Sequence, residues 1–209
     1  MLRGRPVICY VIDAARDSGI FDAVYVSTED PEVAEISRAA GAVVLDRPAH
    51  LTTDESPATA VAIHSLDQLA KDGKNYDAVS VMYPTAALML PEDIRGGWKM
   101  FQDQRANGCI AVTNFYEHPL HSYYRAGRFI RRTHPGASGL QTKLPDYEVP
   151  SGYFYMIRSD LLREKNSYIV PRLAGYPIPR ERSVDIDEPE HLRVAEALYS
   201  LIMQDRGGS

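Results

Sequence analysis

Apolar residues recur at helical spacing at Val7, Tyr10, Val11 and Ala14, and Pro6 stands where a first helical turn accepts a residue without a free N–H. This spacing predicts a helix over 6–17, stopped by Ser18-Gly19. A short β-rich run at 23–27 reads as a strand. Asp30 can then cap a helix whose first position is Pro31 and which runs to about residue 40. Gly41 ends that helix, and 42–45 is the next strand. After a polar loop at 47–54, Ser56-Pro57 opens a helix to residue 71, with Val61, His64, Ser65 and Leu69 at loosely helical intervals and Asp72-Gly73 as its breaker. Residues 78–83 form a strand ending in Pro84-Thr85. Pro91 begins a helix with Ile94, Trp98 and Phe101 on one face, and 108–113 is another strand. Helices alternating with short, continuously apolar strands predict an α/β fold with buried parallel strands.

The periodicity fails between 114 and 150, a stretch rich in Tyr, His, Pro, Gly and Arg, where 129–132 can pair with 123–125 as a hairpin. Such an excursion can cover a site or make a subunit contact. Regular pattern returns with a strand at 153–157, a short helix at 159–163 and a last helix from Pro189 to about residue 203. The 209 residues, 44% of them hydrophobic, fit one domain spanning 1–209 with 114–150 inserted into it.

A net charge of -5 with no long basic stripe argues against a general nucleic-acid binder; Arg128, Arg131 and Arg132 are the densest basic cluster. Cys9 and Cys109 lie in apolar stretches, as buried thiols do, and show no zinc spacing. No apolar run is long enough for a membrane span, and the start carries no signal-peptide core, so a cytoplasmic, reducing location is expected.

The most suggestive chemistry lies at 182–190, where Asp185 and Asp187 alternate ahead of Pro189. On an extended segment both carboxylates face one way and can share a hard cation such as Mg²⁺, with phosphates supplying further oxygens. The competing reading is an N-cap cluster in which Asp187 or Glu188 serves the following helix. Arg180 and Arg182 could hold a phosphate or a substrate carboxylate, or form surface ion pairs with Glu181 and Glu188. Ligands of a parallel α/β sheet gather beyond the C-terminal strand ends. That places Thr28 and Asp30, the rim of Thr52, Thr53, Asp54, Ser56 and Thr59, then Tyr83 and Thr85, and the segment from Thr113 onward near a common site. Each also has a local reading as a turn or cap. His118, His121 and His134 have no recognised metal spacing. GxSxG, HExxH and P-loop lysine motifs are absent.

Taken in order, these segments resemble the acylneuraminate cytidylyltransferases, the CMP-sugar synthetases, and within them the pseudaminic acid cytidylyltransferase branch. The resemblance rests on Arg3-Gly4-Arg5-Pro6-Val7-Ile8, on the run from Ser18 to Asp30, and on Arg47-Pro48 with Leu51 and Asp54. Tyr83-Pro84-Thr85-Ala86, Leu144-Pro145 with Tyr147, Gly152-Tyr153-Phe154-Tyr155 and Arg182-Ser183-Val184-Asp185-Ile186-Asp187 complete it over nearly the whole chain. The resemblance implies a Rossmann-like nucleotide-diphospho-sugar transferase sheet with helices on both faces. It implies transfer of CMP from CTP to an acidic nine-carbon ulosonic acid, pseudaminic or a related sialic acid, with release of pyrophosphate. It further implies Mg²⁺ held by Asp185 and Asp187, Arg182 beside them in catalysis, and Thr28, Asp30, Asp54, Tyr83, Thr85 and Arg180 contacting substrate. A homodimer built through 114–150 is also implied.

Two departures accompany the resemblance. The family's first strand and its A-R-G-G-S-K-like loop do not precede Leu2, and Val149-Pro150-Ser151 stands where the nearest branch often reads H-D-A. Three accounts stay open: a recorded start that omits upstream residues, a shortened and inactive relative that keeps a sugar-binding or interaction surface, and a chain active as written with Arg3 and Arg5 substituting for the phosphate grip.

Overall fold

The computed structural model describes residues 1–53, 55–136 and 145–207. In chain order the helices are α1 (Val7–Ser18), α2 (Pro31–Ala39), α3 (Ala58–Lys71), α4 (Pro91–Asp103), α5 (Ser159–Lys165) and α6 (Pro189–Gly207). The strands are β1 (Tyr25–Thr28), β2 (Val43–Asp46), β3 (Ala78–Val81), β4 (Gly108–Asn114), β5 (Tyr123–Ala126), β6 (Phe129–Arg132), β7 (Glu148–Arg158) and β8 (Leu173–Pro177). Among the described residues no helix is long and apolar enough to cross a membrane.

The sheet departs from the all-parallel expectation. β1 and β2 pair in parallel as one ribbon, and the main sheet runs β3-β7-β4-β8. Within it β7 is antiparallel to both β3 and β4, whereas β8 is parallel to β4. Helix–strand alternation cannot reveal this, because β7 follows the excursion rather than a crossover helix. No described strand precedes α1, and β1 and β3 each have one edge with no described strand paired to it. A direct link near those edges is the hydrogen bond between the Tyr25 and Tyr76 hydroxyls, 2.8 Å apart.

Side-chain alternation along β7 sorts its residues between two apolar clusters. Phe154 and Met156 enter the larger cluster with residues of α1, α4 and α6, and Ile157 enters a second with Ala62 and Leu66 of α3 and Leu162 of α5. Helices therefore cover both faces. α4 approaches closely through Gly97, where a Cβ would sit 2.4 Å from the Phe154 ring. Leu2 is fully buried in the larger cluster, and its carbonyl accepts a hydrogen bond from Tyr10 Oη at 2.8 Å. Both cysteines are buried free thiols, and burial pushes Cys109 up to about 11.

The predicted hairpin forms, β5 against β6, turning at Gly127 with φ +64°. β8 was not foreseen: Gly175 and the terminal Pro177 weaken its β-propensity, and both are tolerated because it pairs only with β4 at the sheet edge. β7 begins at Glu148, inside the stretch expected to be irregular, and its first residues pair with Val112, Thr113 and Asn114.

Candidate active site

The site is built around a break in the β4–β7 ladder. Gly108 to Ile110 pair with Ile157 to Tyr155, and Val112 to Asn114 pair with Pro150 to Glu148, so Ser151, Gly152, Tyr153 and Phe154 crowd opposite Ala111. Such a bulge bends its strand and re-aims side chains. Gly152 makes the bend with φ +77°, and a Cβ there would lie 3.1 Å from Asp185 Oδ2. Glycine both permits the left-handed backbone and leaves room for the carboxylate.

Asp185 is delivered to this point by a segment anchored at several atoms. Arg182 Nη1 and Nη2 donate to the two oxygens of Asp93 at 2.7 and 2.8 Å, a nearly buried bidentate pair with side chains 15% and 6% exposed. Asp93 Oδ2 also accepts from Leu90 N at 2.9 Å, fixing the start of α4. Tyr153 Oη donates to the Arg182 carbonyl, and burial raises the Tyr153 phenol well above its ordinary range. Arg180 Nη1 donates to the Phe115 carbonyl at 3.1 Å, and its guanidinium lies over the Tyr116 ring 4.2 Å from the centroid. Cation–π and hydrogen-bond contacts orient this otherwise exposed side chain.

Between the ends of β4 and β7 and the 180–185 segment lies a cavity of about 270 Å³, lined by Thr113, Asn114, Ser151, Arg180, Ser183 and Asp185 together with Phe115, Tyr116, Val149 and Pro150. Nearby, Tyr83 meets Tyr155 edge-on with ring centroids 5.7 Å apart, and Tyr155 stacks on Tyr168 at 4.8 Å. Burial and, secondarily, the Asp185 charge raise the Tyr83 phenol; burial, Tyr83 and Asp185 raise that of Tyr155. Both phenols therefore stay protonated at neutral pH.

The sequence-predicted residues separate into groups. Asp185 and Arg180 line one cavity, with Tyr83 within reach of the Asp185 charge. Arg182 is differently placed from the expectation of a substrate contact or a pair with Glu181 or Glu188, because both its terminal nitrogens donate to Asp93. Asp187 lies between the Arg180–Arg182 turn and α6. The cap there differs from the predicted carboxylate cap: the backbone N–H groups of Asp187 and Glu188 donate to His191 Nδ1, each at 3.3 Å. Thr28 Oγ1 accepts from Asp30 N at 3.1 Å, and Asp30 Oδ1 accepts from Glu32 N and Val33 N at 2.7 and 3.1 Å as the cap of α2. Thr85 is half-buried in the turn after Tyr83. Asp54 lies outside the described residues. Arg5 donates to Asp13 and covers the Tyr10 ring, so its charge is already answered.

Among the described residues no group of three His, Cys, Asp or Glu side chains is arranged to hold a metal ion. Asp185, a hard oxygen donor in the cavity lining, has the chemistry of a ligand for a phosphate-bound Mg²⁺, which needs few protein ligands; Asp187 is not in that lining. Sequence reasoning placed Thr113 at a strand end near the site without giving it a role, and it missed Ser151, Asp93 and Tyr153 as site residues. Ser151-Gly152 after a proline was the available signal for a bulge; Asp93, inside a helix 89 positions from its partner, gave none.

A family model described as cytidylyltransferase matches residues 1–108. The chain is 28% identical to a pseudaminic acid cytidylyltransferase of Campylobacter jejuni, over 95% of this chain and 87% of that protein. It is 24% identical to N-acylneuraminate cytidylyltransferase A of Danio rerio, over 94% of this chain and 45% of that protein. The fold is similar to that of a CMP:2-keto-3-deoxy-manno-octonic acid synthetase solved with CTP, with a TM-score of 0.70 at 14% identity over 96% of this chain and 90% of that one. A 4-diphosphocytidyl-2C-methyl-D-erythritol synthase of Anaerococcus prevotii superposes with a TM-score of 0.68 at 10% identity, over 96% of this chain and 91% of the other. The match over more than half of the sequence, on an α/β sheet with a polar cavity at its strand ends, identifies the chain as a member of the cytidylyltransferase family.

Proposed function

We propose that this chain transfers CMP from CTP to a nine-carbon ulosonic acid, pseudaminic acid or a related sialic acid, with release of pyrophosphate. The observation that carries the reading is the Asp185 carboxylate at the rim of an open polar cavity that also holds the Arg180 guanidinium. A carboxylate suited to a phosphate-bound cation and a guanidinium suited to a substrate carboxylate are the two charges this reaction needs close together.

In this reading the anomeric hydroxyl attacks the α-phosphorus and gives its proton to water, the new P–O bond forms as the bond to pyrophosphate breaks, and pyrophosphate leaves with the electron pair. Mg²⁺, when bound, offsets negative charge on the phosphates. Asp185 and Asp187 hold it. Arg180 pairs with the sugar carboxylate, and Tyr83 and Thr85 line the approach. Arg182, tied to Asp93, acts by positioning the Asp185 segment. At the β1 end Thr28 and Asp30 are further proposed contacts, which would exchange local hydrogen bonds for ligand, and Asp54 is proposed as a substrate contact from its sequence alone. The inserted segment 114–150 is proposed as the dimer contact. Its hairpin exposes Phe129 and Ile130 at 63% and 60%, apolar surface that a second copy would cover.

The relatives named for pseudaminic acid and N-acylneuraminate cytidylyl transfer support the choice of acid. The test is pyrophosphate release with CTP, Mg²⁺ and a panel of pseudaminic, N-acetylneuraminic and eight-carbon ulosonic acids. The reading expects CMP-sugar with a nine-carbon acid. Pyrophosphate release that does not depend on any acid, or release only with a neutral acceptor, contradicts it.

A further inference from the structure

We propose that Thr113 and Ser151 are specificity-determining residues that read the hydroxyl groups of an acidic sugar whose carboxylate is held by Arg180. The inference rests on the cytidyl-transfer reading for the class of ligand, but its own evidence is the hydrogen-bond balance of the cavity. Thr113 and Ser151 are only 7% and 6% exposed, and neither Oγ has a hydrogen-bond partner among the described residues. Buried hydroxyls are ordinarily paired, and leaving one unpaired is costly. Two such groups on neighbouring strands, both lining the cavity that contains Arg180 and Asp185, mark a place where a ligand supplies the missing partners.

The positions follow from the bulge. Thr113 pairs with Val149, and Ser151 begins the extra residues of β7, so the ladder break sets the two side chains beside one opening. Arg180 spends Nη1 on the Phe115 carbonyl, while Nε and Nη2 have no hydrogen-bond partner among the described residues and keep donors for a carboxylate. Hydroxyls that both donate and accept, beside one guanidinium, match a polyhydroxylated acid better than a nucleobase or a second phosphate group. A phosphate would call for more donors and a base for an unobstructed aromatic face; the Tyr116 face is already occupied by Arg180.

The experiment measures binding of N-acetylneuraminic and pseudaminic acids to the full chain by calorimetry, without CTP, for wild type, Thr113→Val and Ser151→Ala. Thermal unfolding and CTP affinity are measured alongside. Because neither hydroxyl has a hydrogen-bond partner among the described residues, both variants are expected to keep the wild-type unfolding temperature and CTP affinity while binding the sugar about fivefold to tenfold more weakly, the loss of one neutral hydrogen bond. The methyl ester of the sugar is expected to bind wild type at least tenfold more weakly. Sugar affinity unchanged in both variants overturns the proposal, as does a fall in unfolding temperature that accounts for the weakened binding. Sugar binding with these losses but no pyrophosphate release supports the subsite and counts against catalysis alone. Wild type that turns over CTP while the variants keep their KM for the acid upholds the reaction and overturns the subsite.

Discussion

Two strand-end rims of this molecule have similar polar composition and opposite hydrogen-bond status. At the end of β1, Thr28 and Asp30 are consumed locally: one hydroxyl accepts from a backbone N–H two residues on, and one carboxylate caps a helix. At the ends of β4 and β7, Thr113 and Ser151 are buried with no hydrogen-bond partner among the described residues, and Asp185 lies close against a left-handed glycine. The polar groups of the first rim are already paired within the protein, whereas those of the second leave bonds that a ligand can make. Residue type alone would have ranked them alike, so the balance of donors and acceptors is the better guide to function.

The largest effect that sharpens this contrast is expected at Asp185. Asp185→Asn should lower pyrophosphate release by about 10²–10³-fold with the thermal transition retained, the scale of losing one preorganised electrostatic contact. Comparable turnover in the variant would move the metal-binding role elsewhere. Next comes the anchor. Asp93→Ala leaves Arg182 buried and unpaired and is expected to cost about 3–5 kcal/mol in urea denaturation. The double change Asp93→Leu with Arg182→Met should recover much of that stability without restoring turnover, which separates holding the fold from positioning Asp185.

Gly152→Ala provides a narrower test against Gly19→Ala. Both glycines have positive φ, +77° and +67°, but an added Cβ meets Asp185 at the first and nothing within 4 Å at the second. Each substitution is expected to cost about 1–2 kcal/mol from left-handed strain. Only Gly152→Ala should also reduce kcat, by roughly tenfold as the carboxylate is displaced. Asp30→Ala is expected to give the smallest change, about 1 kcal/mol of stability from the lost cap, with a smaller fall in turnover than Asp185→Asn. A kinetic loss as large as that of Asp185→Asn would show that the β1 rim belongs to the reaction centre.

Helices were legible where local signals agreed, as at Asp30-Pro31 and at Pro91 with its apolar face. Strand direction was not, because the antiparallel placement of β7 depends on an excursion whose pattern carries no period. β8 escaped notice because edge pairing rescues a Gly- and Pro-containing run that would be a poor central strand. Of the cavity, Asp185 and Arg180 are singled out by spacing and charge, and both line it. Arg182 reads from sequence as a catalytic group beside Asp185, because its partner Asp93 lies far away in sequence and reads there as an ordinary first-turn acid. Thr113 and Ser151 were invisible as a pair, since only the ladder break brings them to one opening.

The most direct test of the open-rim claim is amide hydrogen exchange by mass spectrometry with and without a saturating nine-carbon ulosonic acid. The account predicts slower exchange in segments 113–116, 149–152 and 180–185, with 27–30 unchanged. Slowing at 27–30 with none around Thr113 and Ser151 would contradict it.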